Sequence, residues 1–143
     1  MDVSFGDGEG ELADFHIDGV HWQAKSLRAT KADQPGVQCD LATLSNGAYV
    51  KYHSESFKYL ILVYWVGSVA YIWIISMQKL VEVGKVGVKK GEKGKPTLTV
   101  HMSKEQQAKE HQGVDFKPLK NNTNLKWTIG CFMGSVDMKD VLY

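Results

Sequence analysis

Residues 59 to 75, YLILVYWVGSVAYIWII, constrain the fold more than any other stretch. Seventeen consecutive residues carry no charge, so the chain must hide them in its own core or in a membrane. Seventeen is the short limit for a membrane-spanning helix. The stretch is dense in Val, Ile, Tyr and Trp, which favour strands, and Gly67-Ser68 interrupts it as a turn signal. No polybasic flank supports insertion. The run therefore predicts two strands, Tyr59 to Val66 and Val69 to Ile75, near-continuously apolar as strands covered on both faces are. No contact with a membrane is expected.

The other elements arrange themselves around that pair. Residues 12 to 17 and 20 to 28 alternate apolar with polar about Asp18-Gly19, a strong hairpin signal. Val37 to Leu44 and Ala48 to Tyr52 read as strands joined by Asn46-Gly47. Ser54 to Phe57 makes a short polar link. Met77 to Val83 suits a short helix that stops at Gly84. Thr97 to His101 and Leu125 to Phe132 suit strands. Ser103 with Gln106 forms a capping box for a polar helix that stops at Gly113. Residues 1 to 10, with three glycines among acids, read as a flexible lead-in. With 143 residues and 43% apolar composition, the chain suits one α/β domain, residues 1–143, with a central mixed β-sheet and few short helices.

Several function classes find no support. The acidic, Gly-rich start does not resemble a secretory signal. Cys39 and Cys131 lie far apart without metal spacing, which favours free thiols in a reducing compartment. An intracellular protein of cytoplasm or nucleus is expected, and the sequon at Asn121-Asn122-Thr123 reads as chance. No phosphate-binding Gly-rich loop and no nucleophile elbow occurs.

The hairpin at Asp18-Gly19 is richest in chemistry. A two-residue turn fixes its register: Ile17 faces Val20, His16 faces His21, Phe15 faces Trp22, and Asp14 faces Gln23. Phe15, Ile17, Val20, Trp22 and Ala24 share one face, expected to meet the core. Asp14, His16, His21, Gln23 and Lys25 share the other. That second face has two readings. It is a solvated face, as in any half-buried hairpin. Alternatively, carboxylate, amide oxygen and ammonium converge to hold a divalent cation and polarise a phosphate. His16 and His21 beside Asp14 suit zinc or another transition metal, or solvent, or DNA. Tyr49, Tyr52, Tyr64, Trp65, Trp73 and Trp127 suit base stacking or the core.

The segment ADFHIDGVHWQAK resembles the core of the PD-(D/E)xK nuclease superfamily. Ala13-Asp14 stands where that family has Pro-Asp, and Gln23-Ala24-Lys25 where it has Glu-x-Lys, with Gln-x-Lys members known. FGDGEGELAD resembles the loop before this Asp in archaeal Holliday-junction resolvases. YHSESFKYLILVYWVGSVAYIWIISMQKLVEVG resembles the strand pair and short helix of intron-encoded endonucleases. The likeness covers residues 6 to 84 and, more faintly, the last strand. It implies a restriction-endonuclease-like sheet and a metal-dependent endonuclease that hydrolyses duplex or branched DNA. Asp14, Gln23 and the Ala24 carbonyl would hold Mg²⁺ or Mn²⁺, and Lys25 would be the catalytic lysine. Two features depart from the pattern: Gln23 is neutral, and the helix the family places before the first strand has no counterpart in residues 1 to 13.

Beside such a hairpin, the basic loop 84–96, with five Lys against one Glu, becomes a phosphate grip through Lys85, Lys89, Lys90, Lys93 and Lys95. Otherwise it is a solvated loop. His16 and His21 would join the DNA surface. The missing helix and the apolar strands imply a homodimer with twofold symmetry. Two alternatives remain. One is a non-catalytic nucleic-acid-binding or structural derivative of the same fold. The other is a small β-rich ligand- or protein-binding domain.

Overall fold

Asp18 and Gly19 adopt φ of 50° and 81°, the left-handed pair that a tight hairpin needs and that Asp and Gly supply at least cost. The turn joins β2 (Asp14–Ile17) to β3 (Val20–Arg28). Asp14 pairs with Gln23, Phe15 with Trp22, His16 with His21 and Ile17 with Val20, the register the turn chemistry predicts. The computed structural model describes residues 3–5, 14–28, 36–87, 96–103, 106 and 126–141.

Six strands form the main sheet, in the order β1-β2-β3-β7-β8-β10. β1 (Val3–Phe5) is antiparallel to β2, with Val3 opposite Ile17. These three residues are therefore strand, where a flexible lead-in was expected: the outer edge of β2 offers them backbone partners. β7 (Tyr59–Val66) and β8 (Val69–Ser76) turn at Gly67, which has φ of 60°. The contacts of β3 and β7 rise together, Lys58 N to His21 O and then Trp22 on Tyr59. These two strands are thus parallel and the sheet is mixed. β4 (Gly36–Asp40) pairs with β9 (Thr97–His101), and β5 (Ala42–Ser45) with β6 (Ala48–Lys51).

The helices are short: α1 (Met77–Glu82), α2 (Lys126–Ile129) and α3 (Met138–Val141). Ser76 caps α1 by accepting from Lys79 N, and Gly84, at φ of 77°, ends it. The capping box is present, Ser103 N donating to Gln106 Oε1 and Gln106 N to Ser103 Oγ; the expected remainder of that helix lies outside the described residues. No helix among the described residues is long and apolar enough to cross a membrane.

Three further expectations are corrected. The strand read over Val37 to Leu44 breaks at Leu41, which is fully buried. There the chain changes partner: Leu41 N donates to the Pro96 carbonyl, just before β9, while the Leu41 carbonyl accepts from Tyr52 N in continuation of the β5–β6 register. Within the strand read over Leu125 to Phe132, the described residues form helix α2 over Lys126–Ile129, followed by β10 (Phe132–Asp137). Trp127 and Ile129 have strand propensity, but their carbonyls take Cys131 Sγ and Gln106 Nε2, which completes the helical turn. The strands 59–75 are not covered equally on both faces. Leu60, Leu62, Tyr64, Tyr71, Trp73 and Ile75 are buried, whereas Ile61, Val63, Ile72 and Ile74 are half-buried.

The chain divides into two compact units, each drawn from three stretches: 1–25, 39–61 and 75–98; and 26–38, 62–74 and 99–143. The first has its core at Leu41, Tyr52, Phe57, Leu60, Ile75 and Leu80. The second is centred on Trp73, which touches Phe132 at 5.1 Å between ring centroids and donates through Nε1 to the His101 carbonyl at 3.4 Å.

Candidate active site

The site residues belong to the first unit. Trp22 lies against Tyr59, with ring centroids 4.7 Å apart, and Phe15 against Trp22. These rings share one side of the sheet, so alternation places Gln23 and Leu60 on the other. That other side is the buried one: Gln23 is only 2% exposed and Leu60 not at all. The sequence assigned the core to the Phe15–Trp22 face; Phe15, Ile17, Val20, Trp22 and Ala24 are in fact half-buried. The reason is tertiary. β5 and the residues after β6 pack over the polar face, with Ala42 and Tyr52 both buried beside Lys25.

Gln23 Oε1 is buried and has no hydrogen-bond partner among the described residues. A carbonyl so placed costs roughly 1–3 kcal/mol against one that is paired. Asp14, its cross-strand partner, places its Cα opposite that of Gln23. Lys25, two residues further along the same strand face, donates from Nζ to the Ala42 carbonyl at 3.3 Å and lies 5.3 Å from the centre of the Tyr52 ring. Its ammonium is thus fixed by a carbonyl and a π face. Cys39 is close by. Burial pushes its thiol up to about 12, against the pull of the Lys25 charge. Cys39 and Cys131 are not joined in a disulfide.

His16 and His21 stack, with ring centroids 4.7 Å apart and planes 20° from parallel. Lone pairs of imidazole lie in the ring plane, so two near-parallel rings direct them side by side and do not converge on one ion. No cluster of three or more His, Cys, Asp or Glu suited to a metal occurs among the described residues. Lys85 is exposed and follows α1, its backbone N donating to the Leu80 carbonyl. Lys89, Lys90, Lys93 and Lys95 lie outside the described residues. Among the aromatics considered for stacking, Tyr52, Tyr64 and Trp73 are core. Trp65 donates to Ser26 Oγ, and Tyr49 is 38% exposed.

The structure therefore brings Gln23 and Lys25 to one buried face with Asp14 in register, sets the His pair beside them, and leaves Lys85 on another segment. Sequence reasoning missed Ala42, Tyr52 and Cys39. Their approach to Lys25 is long-range, and no local spacing signals it.

No family model and no curated protein matches this chain. Among solved structures it is similar to one described as the crystal structure of MepB, with a TM-score of 0.59 and 18% identity, over 93% of this chain and 85% of that one. At that identity the likeness is one of fold.

Proposed function

We propose that this chain is a metal-dependent endonuclease of restriction-endonuclease-like type that hydrolyses DNA phosphodiester bonds. The observation that carries the reading is the buried, unpartnered Oε1 of Gln23, in register with Asp14. An apolar side chain at this position would avoid the cost of that orphaned oxygen, whereas a bound cation would offset it. Asp14, Gln23 and the Ala24 carbonyl are hard oxygen donors of the kind Mg²⁺ and Mn²⁺ take. When bound, such an ion polarises a phosphoryl oxygen and acidifies its water. Lys25, held by Ala42 and Tyr52, keeps a positive charge beside Gln23 and stabilises the negative charge that builds on the phosphoryl oxygen. A water oxygen joins phosphorus, one ester P–O bond breaks, and the leaving oxygen takes a proton. Lys85, the lysines of the following loop and the stacked His16–His21 pair would contact the DNA backbone, and a twofold dimer would cut both strands. A DNA substrate and two cysteines not joined in a disulfide suit an intracellular setting.

A second reading has its own observation. Gln23 is almost fully enclosed, and Lys25 already has protein partners, which favours a non-catalytic DNA-binding derivative of the fold. Incubation of plasmid and branched DNA with Mg²⁺ or Mn²⁺ separates the two. The nuclease reading predicts cation-dependent cleavage, reduced at least a hundredfold in Lys25→Ala. DNA binding without cleavage under either cation would overturn it in favour of the derivative.

A further inference from the structure

An open cleft of about 720 Å³ lies at the Gly19 end of the hairpin, entirely within the first unit. Its size falls in the usual range of small-ligand sites, roughly 300–1,000 Å³. Phe57, Tyr59, Met77 and Val81 line it with apolar and aromatic surface. Two of these rings are braced from behind. Phe57 meets Tyr52 edge-on at 5.0 Å, and Tyr59 lies on Trp22. Lys58, Gln78, His21, Ser54 and Ser76 supply polar groups at the cleft, and Glu55 adds one carboxylate, which the Lys58 ammonium must outweigh for an anion to bind. Lys58 and Gln78 are exposed. The backbone of Lys58 ties the walls together: its N donates to the His21 carbonyl, and its carbonyl accepts from Met77 N, both at 2.8 Å.

We propose that this cleft binds a single nucleotide, with the base on the Tyr59–Met77–Val81 surface and the phosphate at Lys58. The inference deepens the nuclease reading and rests on it for the choice of a nucleotide as occupant. Each part of the ligand finds matching chemistry. A π floor takes any base by its face, which needs no sequence readout. A flexible ammonium takes a phosphate. The Gln78 amide offers both a donor and an acceptor to a base edge. The place is apt as well: His21 and Gln23 lie on the same face of β3, two residues and about 6.6 Å apart along the strand. His21 is the lining residue on the Gln23 side, whereas Tyr59 lies on the Trp22 side with the base, so a nucleotide held in the cleft would fix a strand at the Gly19 end of the hairpin.

The test is an NMR titration of the isotopically labelled full chain with 5′-deoxyadenosine monophosphate, inorganic phosphate and deoxyadenosine as separate probes. The mononucleotide should shift the amide signals of Lys58, Gln78 and Val81 saturably, and bind at least tenfold more tightly than either fragment. Val81→Trp, which fills the floor, and Lys58→Glu, which reverses the charge of an exposed side chain, should each weaken it at least tenfold. The Lys58 variant keeps the backbone bonds and so tests the proposal even where the Val81 variant fails to fold. Equal shifts from phosphate alone, no shift at these residues, or unchanged binding by Lys58→Glu would overturn the nucleotide site. Saturable binding in the cleft by a chain that cleaves no DNA would refute the nuclease and leave the cleft standing. Cleavage without such binding would refute the cleft alone.

Discussion

The β2–β3 and β7–β8 hairpins each turn on two residues, yet their buried faces carry opposite chemistry. The β7–β8 pair buries Leu60, Leu62, Tyr64, Tyr71, Trp73 and Ile75, every one fully enclosed. The β2–β3 pair buries Gln23 and leaves Phe15, Ile17 and Trp22 half-exposed. A Leu, Ile or Phe side chain contributes roughly 1.5–3 kcal/mol when fully buried; an amide with an unpaired oxygen gives back a similar amount. The first hairpin is thus built for stability. The second holds a polar atom where an apolar one would cost less, as the proposed cation site requires.

The largest effect that sharpens this contrast should come from the stabilising hairpin. Trp73→Ala removes an enclosed indole, its contact with Phe132 and its bond to His101, and should cost about 3–5 kcal/mol in urea unfolding. A loss below ~1 kcal/mol would mean that this hairpin is not the stabilising one.

The reverse substitution belongs to the other hairpin. Gln23→Met keeps the volume and removes the orphaned oxygen, so in a chelator it should raise stability by about 1 kcal/mol. An equal drop would show that the Gln23 amide already supports the fold through its own hydrogen bonds, and the contrast between the hairpins would then collapse.

These two variants also mark what could be read from the residues. Asp18-Gly19 signals a tight two-residue turn, so the cross-strand partner of Asp14 followed from local chemistry, and Asn46-Gly47 signalled the second hairpin. The side of the sheet that would be buried did not follow. Phe15 and Trp22 look like core and Gln23 like surface until β5 and Tyr52 arrive from more than fifteen residues away. The break at Leu41 and the helical turn that ends at Ile129 escaped for a similar reason: the Pro96 carbonyl and the Gln106 amide supply bonds from far along the chain.

A smaller effect concerns pH. Burial lowers the pKa of His101 below its ordinary 6.5, and its Nε2 has no partner among the described residues. The unfolded chain therefore takes up this proton first as pH falls. The stability associated with neutral His101 is present above pH 6.5 and is lost on going down from there through the folded-state pKa. His101→Gln should flatten the stability curve in that window. The same slope in the variant would assign the dependence to another group.

The central claim is that the Gln23 oxygen serves a cation, and calorimetric titration with Mn²⁺ tests it most directly. The wild-type chain should bind one equivalent, Asp14→Ala and Gln23→Met should bind at least tenfold more weakly, and Gln23→Glu should bind as tightly or more so. Identical binding curves for the wild type and Gln23→Met would contradict the assignment.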